Sequence, residues 1–337
     1  MTPGATNDSF LISSCQGVQM GRLPMASRGT EPCKRPRRID HNRVSTPRKE
    51  IEMKRTDFRY FQTLRVRWAE VDMQKIVFNA HYLMYLDTAI GGYWQALAMP
   101  YSEAMERLDG DIFVKKASVE FNASAEYDDR LDVGLRCEHV GNSSMLFHGA
   151  IFRGDECLVT GELIYVFANP ETKTSKPVPD ALRQALQQFE LGEPTTRTVV
   201  GDWAQLQSAA GLVRERVFVQ EQGINREDEW DQMDALSTHV VIHNFLDMPV
   251  ATGRLLPAEE GVAKVGRMAV LRAVRGARLG AQVLTALIDV ARARGDAQVL
   301  LHAQRSAEGF YTRMGFAPVG EPFDEVGIPH IAMALQL

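Results

Sequence analysis

The chain has 337 residues, a length that favours two folded domains, each large enough for its own hydrophobic core. Hydrophobic residues make up 45% and charged residues 24%, as in globular proteins, and no apolar run approaches the roughly 18 residues of a membrane-spanning helix. The net charge of -5 argues against broad nucleic-acid binding by the folded part. The cysteines lack metal-ligand spacing and are interpreted as reduced thiols of a cytoplasmic protein: Cys15, Cys33, Cys137 and Cys157.

Residues 1–55 differ in composition from the rest of the chain. They carry eleven basic and five acidic residues and show no sustained periodicity, so the sequence predicts a disordered basic tail. The basic cluster at 34–38 is interpreted as part of this solvated tail rather than as an address or nucleic-acid signal. The apolar run at 10–12 is too short for the core of an export signal. Because Met53 stands just before the first strand-like run, it is open whether residues 1–52 are translated.

The first folded domain is predicted at 56–190, with one long helix wrapped by a mostly antiparallel sheet, an α+β layout. A strand is predicted at 59–68, and apolar residues at helical spacing predict the helix at 79–97. Gly91 and Gly92 in this helix indicate close packing against another surface, because glycine costs about 1 kcal/mol relative to alanine there. The other predicted elements are strands at 112–123, 131–140, 144–152 and 157–167, and a short helix at 180–189.

The loop before the long helix carries the first candidate chemistry. Asp72 lies seven residues before Asn79, at the predicted helix start. A carboxylate there can act as base or nucleophile on a carbonyl, while free N–H groups at the helix N-terminus can stabilise a developing oxyanion. Taken alone, an Asp before a helix is more often a capping residue. His81 is another candidate polar group, although such a histidine is more often an ordinary, partly buried residue.

Asp72, the triplet Ile76-Val77-Phe78 and Tyr82 resemble the signature of hotdog-fold acyl-CoA thioesterases of the 4-hydroxybenzoyl-CoA thioesterase and YbgC type. The resemblance extends over 56–190. It implies that Asp72 is the catalytic carboxylate and that the backbone N–H of Asn79 polarises the thioester carbonyl. It also implies a homo-oligomer, because hotdog sites form across subunit interfaces. The family often has glycine soon after the Asp, where this chain has Gln74-Lys75, so the acyl-chain preference is open.

A second folded domain is predicted at 196–337, after a polar linker that contains Glu193 and Pro194. Asp202 is predicted to cap a helix that continues through Val217. The other predicted elements are strands at 239–245, 250–256, 262–271 and 298–302 and near 317–320 and 330–336, with helices at 277–294 and 307–314. This order predicts an α/β sheet with a ligand-binding turn at the carboxyl end of a central strand.

The turn at 275–281 is the second candidate site, because it joins a buried strand at 265–271 to a helix. Backbone N–H groups at a helix start carry partial positive charge, and glycine lets the backbone approach an anion closely. Such a turn suits a phosphate or pyrophosphate. With a strand ending just before it, the segment has what binding of coenzyme A requires.

The second domain resembles the GNAT acetyltransferases, most closely their ElaA-type branch. Three motifs carry the resemblance, at 214–222, 275–281 and 310–316, and residues 327–330 close the pattern. The resemblance implies that Tyr311 protonates the leaving thiolate of coenzyme A. It further implies that backbone groups of two strand residues pair with the pantetheine arm and that the turn binds the pyrophosphate, with two arginines adding charge. These implied coenzyme contacts are Met268, Val270, Arg275, Gly276, Ala277, Arg278, Leu279, Gly280 and Ala281.

Two points within this resemblance stay open. The general GNAT turn has glycine where Arg278 stands, which we interpret as branch variation, with a weakened coenzyme site as the alternative. No base for the amine is identified: Glu221, His302 and Glu325 are candidates, and direct attack with a water relay would need none. His330 is interpreted as a packing or hydrogen-bonding residue.

The leading hypothesis is a bifunctional cytoplasmic enzyme. Its first domain would hydrolyse acyl-CoA, and its second would transfer acetyl from acetyl-CoA to a small-molecule or peptide amine. We expect no permanently bound cofactor, no metal, no nucleic-acid partner and no membrane insertion. The alternative is a regulatory protein that senses coenzyme A thioesters, in which one domain binds without turnover.

Overall fold

The computed structural model describes residues 53–325 and 327–337. The predicted tail, with Cys15 and Cys33, therefore lies outside the described residues, apart from 53–55. These three residues pack on the fold. Met53 is buried in a small cluster with Phe58 and Phe152, and Arg55 forms an ion pair of 2.9 Å with Asp132.

The first half of the chain forms an antiparallel sheet around a long helix, which confirms the predicted α+β layout. Its elements are Tyr60–Arg65 (β1), Asn79–Ala96 (α1), Tyr101–Arg107 (α2), Asp111–Phe121 (β2), Arg130–Val140 (β3), Ser144–Arg153 (β4), Glu156–Ala168 (β5) and Asp180–Leu191 (α3). The five strands lie in the order β1-β3-β4-β5-β2, which leaves β2 at an edge. Helix α1 buries its apolar face against the sheet, where the ring of Tyr93 lies 5.3 Å from that of Phe147, centroid to centroid.

The two glycines of α1 differ in their surroundings. A Cβ atom at Gly92 would lie 1.9 Å from the Tyr60 hydroxyl and 2.6 Å from Gln62 Oε1, so the helix approaches β1 closely here. At Gly91 a Cβ would meet nothing within 4 Å. The prediction of close packing is therefore confirmed for Gly92 and wrong for Gly91, which lies on the exposed side of the helix.

The second half forms a mixed sheet of eight strands flanked by helices, which confirms the predicted α/β class. Its elements are Thr196–Gly201 (β6), Trp203–Arg214 (α4), Arg226–Glu229 (α5), Thr238–Asn244 (β7), Pro249–Leu255 (β8), Val262–Val270 (β9), Leu279–Arg294 (α6), Gln298–Gln304 (β10), Glu308–Arg313 (α7), Ala317–Pro318 (β11), Phe323–Glu325 (β12) and Ile328–Gln336 (β13). The order is β11-β13-β10-β9-β8-β7-β6, with β12 paired to β13. As predicted, Asp202 caps α4, accepting a hydrogen bond of 2.9 Å from the backbone N–H of Gln205.

Strands β9 and β10 form the parallel pair at the centre of this sheet, and they separate part of the way along. Their register runs from Val262↔Gln298 to Val265↔Leu301 and goes no further. Beyond Val265, β9 stays paired with β8 on its other side. The separation opens a cleft at the carboxyl ends of the two strands, which is where ligands bind in α/β sheets.

The two halves exchange side chains across their boundary. Leu246, in the turn between β7 and β8, is buried in the core of the first half, and Ala98 is buried in the core of the second. The Asn244 amide donates a hydrogen bond of 3.0 Å to the Ala98 carbonyl, and Arg216 forms an ion pair of 2.5 Å with Glu103. The described residues, 53–325 and 327–337, accordingly belong to a single compact unit.

Candidate active sites

Asp72 lies in a tight loop just before α1. The loop is closed by two backbone hydrogen bonds, from Asp72 N–H to the Ile76 carbonyl (2.9 Å) and from Lys75 N–H to the Asp72 carbonyl (3.0 Å). The Asp72 carboxylate Oδ1 accepts a hydrogen bond of 2.7 Å from the Gln74 N–H. Phe78 occupies the N-cap position of α1, with no side-chain cap bond in the described structure, so Asp72 is not the capping residue. The second carboxylate oxygen of Asp72 is available to take part in a reaction.

Lys75 gives this loop its sharp turn. It stands near the position where the thioesterase resemblance expects glycine, and its φ is 65°. This left-handed backbone costs a residue with a Cβ about 1–2 kcal/mol. The loop therefore keeps a glycine-like shape without glycine, and a long cationic side chain lies exposed beside Asp72.

The start of α1 lies at the other end of the same loop. A bridge between Val71 and Val77 folds the loop back on itself, so Asp72 and the exposed first residue of the helix, Asn79, belong to one small hairpin. The first N–H groups of a helix have no partner within it and carry the positive end of its dipole. His81 lies in this first turn, with its ring edge-to-face to Phe78 at 6.1 Å. The loop thus joins a carboxylate to the open N–H groups of an exposed helix start.

A buried glutamate, which sequence reasoning missed, holds this loop on the helix. Glu70 is only 2% exposed and accepts hydrogen bonds from the Arg67 Nε (2.7 Å) and the Tyr85 hydroxyl (2.8 Å). Burial alone would raise the pKa of Glu70, but the bonds from Arg67 and Tyr85 hold it below its ordinary value. The carboxylate therefore stays charged and fixes the loop. An acidic residue two places before Asp72 was the available sequence signal.

In the second half, the cleft between β9 and β10 exposes backbone groups of β9. The Leu271 N–H donates to the Val250 carbonyl (3.0 Å), so it points towards β8. Backbone groups alternate in direction along a regular strand, so those of Val270 point the other way, into the cleft. Met268 lies in the irregular stretch between Gly266 and Ala269, where the register with β8 shifts. The Val270 carbonyl accepts a bond of 3.1 Å from Arg275 Nε. This direction suits the predicted pairing with an extended pantetheine arm.

The turn after β9 leads into the N-terminus of α6. The helix begins at Leu279 and not at 277 as predicted, because Arg278 has a φ of 58° and is its N-cap. The first helical bond runs from Gln282 N–H to the Arg278 carbonyl (3.1 Å). The N–H groups at 279–281 therefore form the open first turn of a 16-residue helix, an arrangement that suits an anion. Arg278, which replaces the glycine of general GNAT turns, takes a glycine-like backbone.

The side chain of Arg275 is paired within the protein. Its guanidinium makes two hydrogen bonds to Glu221, of 2.6 and 2.7 Å, and is thus already neutralised by a carboxylate. These bonds hold the pKa of Glu221 below its ordinary value. Glu221 is one of the candidate bases, and it does not line the cavity that contains the other two. The exposed Arg278 remains as the turn's predicted charge contact.

Tyr311 lies in a cavity of about 410 Å³ that continues the cleft. Burial raises the pKa of Tyr311 to about 12, so its hydroxyl keeps its proton at neutral pH. His302 and Glu325 line the same cavity, and His302 Nδ1 lies 2.9 Å from Glu325 Oε2. Burial alone would raise the pKa of Glu325, but its contact with His302 holds it below the ordinary value. The cavity therefore holds a protonated hydroxyl and a carboxylate–imidazole pair.

Comparison with known proteins identifies both halves. The family model described as "Acetyltransferase (GNAT) domain" matches residues 207–337, and that described as "Thioesterase-like superfamily" matches 66–186. The uncharacterized N-acetyltransferase YjcF of Bacillus subtilis is 36% identical over 125 residues, which are 37% of this chain and 88% of YjcF. Protein ElaA of Escherichia coli is 34% identical over 125 residues, 36% of this chain and 81% of ElaA. The chain belongs to the GNAT family through its second half, and its first half carries a thioesterase-like domain.

We call the first half the thioesterase-like domain, which has the hotdog fold, and the second the GNAT domain. Among solved structures, that of the gentisyl-coenzyme A thioesterase BH1999 is 20% identical and covers 38% of this chain and 99% of its own, with a TM-score of 0.35. None of the described helices is long and apolar enough to cross a membrane. Within the described ranges, no group of three or more His, Cys, Asp or Glu side chains is arranged to hold a metal ion.

A buried charge network forms one wall of the GNAT cavity. Arg214 is 1% exposed, pairs with Glu229 (2.5 Å) and Asp234 (2.7 Å), and lies over the Trp230 ring at 4.4 Å. Arg254 contacts the same Asp234 oxygen at 2.7 Å. The helix that carries Arg214 continues as a π-helix over Glu215–Glu221, the segment of the ElaA-type motif. Arg214, the first residue of the motif at 214–222, thus stabilises the cavity wall.

The remaining predicted residues are less closely tied to the cavity's chemistry. His330 lines the cavity, and its Nδ1 lies 2.7 Å from the Ile328 carbonyl, in line with a hydrogen-bonding role. Met268 lines the cavity beside the cleft, whereas the turn at 275–281 lies outside it. Cys137 and Cys157, the cysteines within the described residues, are free thiols.

Proposed function

We propose that the thioesterase-like domain hydrolyses an acyl-CoA and that the GNAT domain transfers acetyl from acetyl-CoA to an amine. The two families support an acyl-CoA enzyme at the general level. One arrangement supports the specific proposal: each domain has a helix with open N-terminal N–H groups and a suitable candidate reactive group. In the first domain these are α1 and Asp72, seven residues before its start, and in the second they are α6 and Tyr311, in the cavity that continues the cleft.

For hydrolysis, the carbonyl oxygen of the thioester would accept a hydrogen bond from the Asn79 N–H at the start of α1. The Asp72 carboxylate would take a proton from an attacking water, or would itself attack the carbonyl carbon to form a mixed anhydride that water then hydrolyses. The carbon–sulfur bond then breaks, and coenzyme A leaves as a thiolate that takes up a proton. The products are a carboxylic acid and free coenzyme A.

For acetyl transfer, the pyrophosphate would bind the N–H groups at 279–281, and the pantetheine arm would lie along Met268 and Val270. The amine nitrogen attacks the acetyl carbonyl carbon, and the carbon–sulfur bond breaks. Tyr311 gives its hydroxyl proton to the leaving sulfur and regains one from water. The coenzyme serves as a substrate here and is released after each turnover.

We propose the pair of His302 and Glu325 as acceptor of the amine proton. With Nδ1–H donating to Glu325, the second ring nitrogen of His302 is left as an acceptor. His302→Gln is expected to lower the rate of acetyl transfer, with unchanged affinity for coenzyme A. An unaltered rate would instead favour direct attack with a water relay.

The homo-oligomer is likewise proposed. Strand β2 lies at the edge of its sheet, so its outer backbone groups are open to pairing with another strand. Large apolar side chains are exposed on the same domain: Trp68, Met73, Phe78, Val114, Phe121 and Tyr127. Size-exclusion chromatography with light scattering, run over a range of protein concentrations, measures the molar mass. The mass of a monomer at every concentration would contradict the proposal. The cytoplasmic location stays a prediction.

Release of free thiol tests the two activities together. Acetyl-, benzoyl- and medium-chain acyl-CoA are supplied with and without a mixture of amines. Asp72→Asn is expected to abolish amine-independent release, and Tyr311→Phe to lower amine-dependent release by about 100-fold or more. The matched controls are Asp155→Asn, at an exposed aspartate, and Tyr127→Phe, at a half-exposed tyrosine.

The outcomes separate the proposal from its rival. If neither substitution changes release more than its control does, the proposed residues are wrong. If the wild-type protein binds coenzyme A and releases no thiol from any ester, the regulatory sensor is the better description.

A further inference from the structure

Helix α1 contacts both candidate sites. It begins at Asn79, beside Asp72, and its last turn carries Gln95. The Gln95 side-chain amide donates a hydrogen bond to the backbone carbonyl of Arg275, the first residue of the coenzyme turn in the other domain. An 18-residue helix is about 27 Å long, so α1 spans the distance between a thioesterase site and an acetyltransferase site.

Gly276 follows Arg275 in this turn and lies beside the same side chain. A Cβ atom added at Gly276 would be 3.8 Å from Gln95 Oε1, so a larger residue there would meet Gln95. Its φ of 99° lies in the region that favours glycine, so the chain bends sharply near the end of α1. The contact of Gln95 with the turn is therefore the hydrogen bond to the Arg275 carbonyl.

This hydrogen bond fixes the direction of a predicted phosphate donor. The Arg275 carbonyl and the Gly276 N–H belong to one planar peptide unit, in which a trans bond points them in opposite directions. With the carbonyl turned towards Gln95, the Gly276 N–H points away from α1. On its other side the turn is held by the bonds from the Arg275 side chain to Glu221 and to the Val270 carbonyl.

The boundary between the domains keeps Gln95 in place. Ala98, one turn further along, is 1% exposed, and its carbonyl accepts the hydrogen bond from Asn244. Glu103 and Arg216 form an ion pair of 2.5 Å in the same region. The segment that carries Gln95 is therefore fixed by contacts with the GNAT domain.

We propose that Gln95 is a positioning residue for the coenzyme A turn, supplied to the GNAT domain by the thioesterase-like domain. The inference rests on the proposed function, in which this turn binds the coenzyme pyrophosphate. Gln95 orients the Gly276 N–H before the ligand arrives and takes no part in the reaction. The acetyltransferase site is then complete only with the other domain attached.

Hydrogen exchange of the full-length protein, read by mass spectrometry with and without coenzyme A, tests this for each segment. In Gln95→Ala, peptides covering 275–282 are expected to exchange about three- to tenfold faster without ligand, the effect of losing one hydrogen bond. The concentration of coenzyme A that gives half protection of these peptides is expected to rise by a similar factor. Gln95→Glu, which places a carboxylate against the carbonyl, is expected to have the larger effect.

The control is Gln187→Ala, at an exposed glutamine of α3, and exchange in β3 and β4 reports whether the fold is intact. The KM for acetyl-CoA in amine-dependent turnover is expected to rise in Gln95→Ala, with kcat and amine-independent hydrolysis unchanged. If peptides 275–282 of Gln95→Ala exchange as fast as those of the control variant, and coenzyme A protects these peptides in both variants as in the wild type, only the role of Gln95 is refuted. If coenzyme A fails to protect 275–282 in the wild type, the proposed coenzyme site is refuted with it.

Discussion

Alanine in place of each adjacent glycine of α1 is expected to change the free energy of unfolding in opposite directions. Gly91 faces open space, whereas a Cβ at Gly92 would lie 1.9 Å from the Tyr60 hydroxyl. That hydroxyl donates to Gln62 Oε1 at 3.0 Å, and the Tyr60 ring lies edge-to-face to Tyr93 at 5.6 Å. Tyr60 is therefore held between two partners and has to shift to admit the methyl group.

The magnitude follows from a difference between neighbours. Both substitutions gain about 0.5–1 kcal/mol, because alanine loses less backbone freedom in a helix than glycine. Gly91→Ala keeps this gain. Gly92→Ala adds an overpacking penalty of about 1–3 kcal/mol. Since the helix contribution is common to both, the difference between the two variants measures the packing penalty itself.

Urea unfolding of both variants and the wild type, followed by circular dichroism at several protein concentrations, gives this difference. We expect a higher midpoint for Gly91→Ala than for the wild type and a lower one for Gly92→Ala. Adding Tyr60→Phe to Gly92→Ala removes the atom in closest contact and is expected to restore part of the loss. Equal midpoints for the two single variants would refute the described packing of α1 on β1.

Three further predictions concern charge and backbone shape. Arg214→Met is expected to lower the free energy of unfolding by about 3–5 kcal/mol in urea, because the buried carboxylates of Glu229 and Asp234 each lose a cationic partner. Burial alone would raise the pKa of Asp234, but bonds from Arg214 and Arg254 hold it below its ordinary 3.8. The stability advantage of the wild type over Asp234→Asn is thus expected to be full above pH 4 and to shrink as the pH falls below it. Lys75→Val is expected to lower the melting temperature and Lys75→Gly to leave it equal or higher, because φ is positive there.

Local patterns were enough to predict most of the secondary structure. Alternation and helical spacing place β2 to β5, α1 and α3 within a few residues, since each has one buried face. Helices α2 and α5 and strands β6 and β12 were missed, and α5 and β12 have only four and three residues. Tyr101–Arg107 is barely two turns long, and Thr196–Gly201 has no residue fully buried, so neither has a clear period.

Motifs in the sequence predicted the separate segments of each candidate site but not the contacts between distant residues. Asp72, the turn at 275–281 and Tyr311 each stand in a recognisable pattern within one segment of the sequence. The pairing of Arg275 with Glu221 joins residues far apart in the chain, and so does the bond from Gln95. No local pattern signals such partners, because they depend on how the two domains pack.

The exchange of Leu246 and Ala98 between the two cores has a practical consequence for dissecting this protein. If the chain were cut at the linker, the second half would expose Leu246, and the first half would lack the side chain that fills its core at this point. Both fragments would expose apolar surface that favours aggregation. Truncated halves are therefore poor reporters of either activity. Point variants of the intact polypeptide are the sounder tool, and heating it should melt both lobes in a single cooperative step.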